Sequence, residues 1–600
     1  MSSNRLEYSM DLNPQQQEAV EHEGGPLLIV AGAGSGKTRT LTERLLYLLR
    51  KGIAPASIIA LTFTNKAAHE MKERITRQLP RQNTLPFLGT FHSLGVRILR
   101  EETPFERTPQ FSIFDEDDAL GAMKAVLKSA GFSREEYNPL ALRGTLSKIK
   151  NELIDLDTWE DEEEQRIFQN YETFLRDNNA FDFDDLIHKV VTLFMRQPQT
   201  LKKYRDRFRY ILIDEYQDVN PVQYMFVKLL AEEHRNLSVV GDDAQAIYGW
   251  RSADMKNFLR FEDDWLNAKV VLLEQNYRST KTIISAASAL IANNVFQKQK
   301  NLWTDNEAGS LIGVVRAENS EEEAAFIAES IAGRRAHDRK KSIAILYRTN
   351  AQSRALEQAL IVARIPYHIF GGLKFYERKE IKDIVAALRI AANPKDLMSH
   401  ERILKTLPVA RARILILRMA GLGSTQSLLE LISLFLHEAE YFNYLERKFP
   451  NAQERKENIA ELISFAGTFP TLTAFLEQVS LMQSSDRPST NSTIPQFVNS
   501  LPVELMTIHL AKGLEFDHVT IAGTSEGTLP HHRSYGTQEE LEEERRLMYV
   551  AMTRARQSLL LTFFHIPSRF LYELPPELVT FTDLSGKRKT LPDEDEIYLE

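Results

Sequence analysis

Leu27-Leu-Ile-Val-Ala-Gly-Ala-Gly-Ser-Gly-Lys-Thr38 joins a short apolar run to a glycine loop that ends in a lysine and a hydroxyl residue. A strand that opens through such a loop into a helix aims several backbone N–H groups, and the positive end of the helix dipole, at one anion. Ala33, Gly34, Ser35 and Gly36 can then cradle the phosphates of a nucleoside triphosphate such as ATP. Lys37 can reach the β- and γ-phosphates, and the Thr38 hydroxyl can hold Mg²⁺. The first position of the usual G-x-x-x-x-G-K-[ST] pattern is Ala31, a change that spares the glycines nearest the phosphates.

A chance match in a glycine-rich loop is the competing reading, and it weakens at Tyr210-Ile-Leu-Ile-Asp-Glu-Tyr-Gln-Asp218. Here an apolar strand delivers two acids at its C-terminal end. Asp214 would hold the metal and Glu215 would polarise an attacking water, as phosphoryl transfer beside a phosphate loop requires. A second strand ends in Val239-Val-Gly-Asp-Asp-Ala-Gln-Ala-Ile-Tyr-Gly-Trp-Arg251, where the Gln245 amide can sense a γ-phosphate. Arg278, in Gln275-Asn-Tyr-Arg-Ser279, and Arg554, in Tyr549-Val-Ala-Met-Thr-Arg-Ala-Arg556, read from residue type alone either as arginine fingers or as surface ion-pair partners.

The chain has 600 residues, 43% hydrophobic and 26% charged, which exceeds one core and suggests about four units of 100–200 residues. Strand-like runs at 27–30 and 58–63 alternate with helical ones at 38–49 and 66–79, the pattern of a parallel sheet covered by helices. Residues 107–190 read as helical with no comparable strand, and strands return at 210–213 and 237–240. Further strands are expected at 311–315, 342–346, 519–522 and 558–562, around a mostly helical stretch at 377–500 that ends in the loop-like Ser484-Ser-Asp-Arg-Pro-Ser-Thr-Asn-Ser492. The simplest parse is two α/β domains, each with a helical insertion. The first domain occupies 1–106 and 191–275 with insertion 107–190, and the second occupies 276–376 and 501–575 with insertion 377–500. An acidic tail is expected at 576–600.

The absence of cysteine excludes disulfides, iron–sulfur clusters and thiolate zinc. No apolar stretch has membrane-spanning length and no secretory signal is visible, so the expectation is a cytoplasmic protein without a membrane partner. A net charge of -9 does not advertise a nucleic-acid binder, although a basic channel can sit in an acidic surface.

These motifs, with others from residue 12 to about 575, closely resemble the UvrD/Rep/PcrA family of superfamily 1A DNA helicases. Leu12-Asn-Pro-Gln-Gln-Gln-Glu-Ala-Val20 resembles the family's Q motif, which implies that Gln16 reads adenine and Arg39 packs against the base. Leu61-Thr-Phe-Thr-Asn-Lys66 and Gly89-Thr-Phe-His-Ser-Leu94 are similar to its motifs Ia and Ib. Ala344-Ile-Leu-Tyr-Arg-Thr-Asn350, Gly371-Gly-Leu-Lys-Phe-Tyr-Glu-Arg378, Leu505-Met-Thr-Ile-His509 and Glu542-Glu-Glu-Arg-Arg546 continue the match. The fold implied is a pair of RecA-like parallel-sheet domains. Carried over by position, Arg278 and Arg554 become γ-phosphate contacts, Tyr277 an adenine-stacking residue and Glu515 a ribose contact.

The same positions outline a single-strand track. Phe63, Tyr248 and Trp250 can stack bases without reading sequence, where a lone aromatic after a strand would otherwise read as core. Thr64, Asn65 and Lys66 on one domain and Thr349, Asn350 and Arg354 on the other would grip phosphates, with Arg251 beside Trp250 and with His92 and His509 as backbone contacts. The resemblance implies an ATP-dependent 3′→5′ DNA helicase and translocase of repair, replication restart or recombination control. The alternative is a single-strand translocase that displaces bound proteins and unwinds duplex only with a partner. Expected partners are single-stranded DNA, 3′-tailed duplexes, repair or replication proteins, and further copies of the chain on DNA.

The chain also departs from the family pattern. Ala244 and Ala246 stand where relatives carry Asp and Ser, and Ser252 replaces a glycine. Leu407-Pro-Val-Ala-Arg-Ala-Arg413 replaces a duplex-contacting N-x-P-x-R-G-I-G segment, in an insertion that is short for the family. The family's C-terminal extension is expected to be absent.

Overall fold

Alternate residues of the buried strands face opposite layers, and this period of two builds the first unit. In the computed structural model, Leu28 and Val30 enter one core with Ile59 and Leu61, while Leu27, Ile29 and Ala31 enter another with Ile58 and Ala60. A sheet buried on both faces needs continuous apolar strands, which is how these runs read. The structure describes residues 12–79, 84–132, 137–420, 422–476, 479, 501–587 and 589–591. The loop expected at 484–492 lies outside them.

The chain divides into two compact units, Met1–Arg278 with Asn294–Asn306, and Ser279–Asn293 with Glu307–Glu600. In chain order the strands are β1 (Leu27–Ala31), β2 (Ile58–Thr62), β3 (Phe87–Thr90), β4 (Ser112–Phe114), β5 (Ala180–Asp182), β6 (Tyr210–Ile213), β7 (Leu237–Gly241) and β8 (Lys269–Leu273). They continue as β9 (Ile312–Ala317), β10 (Ile343–Tyr347), β11 (Tyr367–Ile369), β12 (Val503–Thr507), β13 (Phe516–Ile521), β14 (Ala555–Phe564) and β15 (Val579–Asp583). The first unit holds a parallel sheet of order β3-β2-β6-β7-β1-β8. The second holds a parallel sheet of order β11-β12-β10-β13-β14-β9-β15. The α/β expectation holds, and every expected strand lies within or beside an observed one.

Three expectations need correction. The stretch 107–190 is not free of strands: β4 and β5 form a short parallel pair beside its helices. Residues 294–306 belong with the first unit, although the reading placed 276–376 together in the second domain. The expected tail also contains β15, which pairs with β9 along Val579↔Ile312 to Asp583↔Arg316. Its alternation explains the pairing, because Phe581 packs on Phe563 at 6.5 Å, Asp583 accepts from Arg316 at 3.2 Å, and Thr580 and Thr582 face outward.

The helical stretches carry cores of their own. In the first, Met123, Leu146, Phe168, Tyr171 and Leu175 are buried together. It meets the sheet-bearing core through a buried ionic cluster in which Lys150 Nζ lies 2.9 Å from Asp182, Asp185 and Glu172. Burial and the neighbouring carboxylates push Asp185 up to about 7. The second stretch packs around Ile381, Ile384, Leu388, Phe435, Tyr441 and Leu462.

Candidate nucleotide site and nucleic-acid track

Gly34 at φ +67° and Gly36 at φ +86° let the loop after β1 turn without side chains in the cradle. Gly36 caps the helix Lys37–Arg50, whose apolar face of Leu41, Leu45 and Leu46 packs on the sheet. Ser35 is buried, and its hydroxyl donates to Gly32 O at 2.8 Å. The Gln16 amide donates to Ser35 O at 3.0 Å, so the residue expected to read adenine is tied to the loop. Arg39 lies partly buried beside Gly36.

A second segment closes over the loop from the carboxyl end of β8. Asn276 Nδ2 donates to Ala33 O at 2.6 Å, Tyr277 N donates to Gly34 O at 3.0 Å, and Arg278 N donates to Asn276 Oδ1 at 2.9 Å. The Tyr277 hydroxyl accepts from Asn13 Nδ2 at 2.9 Å and donates to Gln275 Oε1 at 2.8 Å, which leaves its half-exposed ring beside the Gln16 helix. Gln16, Tyr277 and Arg278 are therefore gathered around the phosphate loop.

The acids lie at the carboxyl ends of β6 and β7, neighbouring strands of which β7 pairs with β1, at the sheet edge where a parallel α/β fold binds ligands. Thr38 Oγ1 donates to Asp214 Oδ2 at 2.8 Å, so both expected metal ligands present oxygen at one point. Burial beside Glu215 pushes the Asp214 carboxyl up to about 7. Glu215 takes a left-handed backbone at φ +53° and accepts from Gln217 Nε2 at 2.5 Å. Gln217 also accepts from Asp242 N at 3.0 Å, linking the two strand ends. Asp242 Oδ2 accepts from Gln245 Nε2 at 2.6 Å and lies 3.9 Å from Lys37 Nζ. Burial opposes ionisation of Asp242, yet Lys300 and Lys37 outweigh it and hold the group below its ordinary range.

The aromatic expectations also converge in this unit. Phe63, after β2, stacks on Tyr248 at 5.8 Å and 6°, and Tyr248 meets Trp250 edge-on at 6.4 Å. Trp250 is 63% exposed, which suits base stacking rather than core packing. The Arg251 side chain lies outside the described residues. His92 stacks on the exposed Phe183 at 3.9 Å, and burial pulls its pKa down to about 4, so it offers a neutral N–H. Thr64 spends its hydroxyl on the helix that follows, accepting from Ala67 N at 3.2 Å, while Asn65 and Lys66 are exposed.

In the second unit the expected residues are less uniform. Thr349 is partly buried and caps a short helical turn, Asn350 donates to Glu454 at 3.3 Å, and His509 is partly buried in the turn after β12. Arg354 is corrected: it is 1% exposed, donates to Glu461 at 2.6 Å and to Glu321, and lies 4.3 Å from the Phe465 ring. It joins helices of the sheet domain and the insertion instead of offering a phosphate grip. Glu515 is exposed and pairs with Arg556. Arg554 is 1% exposed and donates to Val550 O at 2.9 Å, Leu514 O at 3.2 Å and Thr553 Oγ1 at 3.1 Å.

Gln217, Asn276 and Lys300 join the site without having been expected there. The first two lie inside quoted motifs, whereas Lys300 carries no recognisable pattern of its own and is found only by contact. No helix of the described residues is long and apolar enough to cross a membrane.

Two family models cover most of the chain: the UvrD/REP helicase N-terminal domain matches residues 12–265, and the UvrD-like helicase C-terminal domain matches residues 271–419 and 426–565. The ATP-dependent DNA helicase PcrA of Bacillus subtilis (strain 168) is 41% identical over 649 residues, covering 96% of this chain and 87% of that protein. The protein of the same name from Staphylococcus aureus (strain Mu50 / ATCC 700699) is 39% identical over 647 residues, covering 97% and 88%. That of Staphylococcus epidermidis (strain ATCC 35984) is 39% identical over 651 residues with the same coverage. On matches of this extent, the chain belongs to the UvrD/Rep helicase family.

Proposed function

We propose that this chain is an ATP-dependent DNA helicase and translocase that moves 3′→5′ along single-stranded DNA in repair or replication. One observation carries the reading: the segment after β7 holds Gln245 in hydrogen-bond contact with Asp242 and, three residues on, Tyr248 stacked on Phe63. On this reading the γ-phosphate sensor and a base-stacking ring share one short stretch of backbone. Displacing either displaces the other, which is what converting hydrolysis into motion requires.

Within the site, the glycine cradle and Lys37 bind and orient the phosphates. Glu215, braced by Gln217, polarises the attacking water and takes its proton. Thr38 Oγ1 and Asp214 Oδ2, 2.8 Å apart, form a hard oxygen pair that suits Mg²⁺, and those two residues would hold it. When bound, the ion would neutralise charge on the phosphate oxygens. Arg278 and Arg554 are the arginines we assign to the γ-phosphate. Gln16, Arg39 and Tyr277 are assigned to the base, and Glu515 to the ribose. Residues 107–190 and 377–500 are the helical insertions of the two α/β domains, and the protein works in the cytoplasm with DNA as its partner.

Lys37→Ala tests the reading. It should abolish DNA-stimulated ATP hydrolysis while nucleotide-free binding to single-stranded DNA persists, and full hydrolysis in that variant would overturn it.

A further inference from the structure

We propose that Lys300 is a positioning residue for Gln245, an inference that rests on the ATPase reading above. Asp242 and Asp243 follow β7 as adjacent, fully buried carboxylates, and burying two such charges is costly without a cation. Lys300, itself nearly buried, places Nζ 2.8 Å from Asp242 Oδ1 and 2.6 Å from Asp243 Oδ1. Lys298 N donates to the other Asp243 oxygen at 2.9 Å.

The two oxygens of Asp242 are thereby divided. Oδ1 faces Lys300, while Oδ2 accepts from Gln245 Nε2 at 2.6 Å and faces Lys37 at 3.9 Å. Once Lys37 turns to the phosphates of a bound nucleotide, Lys300 is the cation that keeps Asp242 ionised. An ionised Asp242 accepts one N–H of Gln245 Nε2 and so orients the amide whose other N–H can donate to a γ-phosphate oxygen. Without Lys300, Asp242 takes up a proton or shifts, and the amide loses its orientation.

The loop that carries Lys300 is itself anchored at the site. Trp303 N donates to Glu274 O at 3.1 Å, Asn276 N donates to Trp303 O at 2.7 Å, and Leu302 packs where a side chain on Gly32 would stand. One stretch of backbone thus supports the phosphate loop, the segment 275–278 and the sensor. Lys300 acts through Asp242 and need not touch nucleotide.

The test is steady-state, DNA-stimulated ATP hydrolysis by full-length variants whose thermal midpoints are checked first. Lys300→Met should lower kcat roughly tenfold or more, the worth of a charge-assisted bond, with KM little changed. Lys300→Arg should recover most of the rate. Because Lys300 acts through Gln245, Lys300→Met combined with Gln245→Ala should be no slower than Gln245→Ala alone. Asp243→Asn in the Lys300→Met background removes one buried charge and guards the fold, and the kcat deficit should persist there. A wild-type kcat in Lys300→Met, multiplying losses in the double variant, or recovery of rate by Asp243→Asn would overturn the proposal. Gln245→Ala turning over at the wild-type rate would instead sink the sensor reading itself, and the proposal with it.

Discussion

Gly34→Ala probes the phosphate cradle at the point where the structure leaves least room. Gly34 sits at φ +67°, where an L side chain costs roughly 1–2 kcal/mol. An added Cβ would lie 2.5 Å from Asn276 Nδ2 and 2.9 Å from Arg278 Cβ. Asn276 Nδ2 cannot retreat without giving up its bond to Ala33 O, worth about 1 kcal/mol. The combined strain, about 2–3 kcal/mol, is relieved when the loop leaves its cradle geometry, and nucleotide must restore that geometry on binding. Affinity should therefore fall roughly 30- to 150-fold. Gly52→Ala is the control, since Gly52 has φ +86° with nothing within 4 Å of its would-be Cβ. It bears backbone strain without the collision, so it should lose some stability and bind nucleotide normally. Titrating both variants with a fluorescent ATP analogue decides the matter. Equal affinities for Gly34→Ala and Gly52→Ala would refute the account of the loop.

Three further outcomes are expected. Trp250→Ala should weaken single-strand binding by on the order of 1–3 kcal/mol and raise the ATP consumed per nucleotide travelled, and an unchanged ratio would take the ring off the track. Arg354→Ala leaves Glu461 and Glu321 without their guanidinium and should cost roughly 2–4 kcal/mol of stability, seen as a lowered thermal midpoint. Weaker DNA binding at an unaltered midpoint would return Arg354 to the role of phosphate contact. Burial pushes Glu323 up to about 7 from 4.5, against bonds from Thr562 and Gly523. Between those values the folded chain holds a proton that the unfolded chain has released. Stability should therefore fall by about 3 kcal/mol as pH rises across the window, then level off. Glu323→Gln should lack that slope, and parallel midpoints for both proteins from pH 5 to 8 would contradict it.

The sequence was most legible where one interaction dominates. β1, β2, β6 and β7 lie in apolar runs because both faces of the sheet are covered, and the phosphate loop is readable because only glycine fits its backbone. β8 was also within reach through Val270-Val-Leu-Leu273. β15 was not, because its inward face holds only Val579 and Phe581 before passing to the charged Asp583, and pairing with β9 is a long-range event. Arg354 shows the limit at the site: its position in a motif says nothing of the carboxylates that bury it, which come from Glu321 and Glu461, distant in sequence. Lys300 is the converse case, an ordinary lysine by sequence that the fold delivers to two buried acids.

Strand separation by the purified protein, on duplexes with either a 3′ or a 5′ single-stranded tail, tests the central claim most directly when ATP hydrolysis is followed in the same reaction. The expected result is hydrolysis stimulated by single-stranded DNA and unwinding from the 3′ tail alone. Stimulated hydrolysis without unwinding would favour the partner-dependent translocase. Hydrolysis indifferent to DNA, or unwinding from the 5′ tail, would rule out a 3′→5′ helicase.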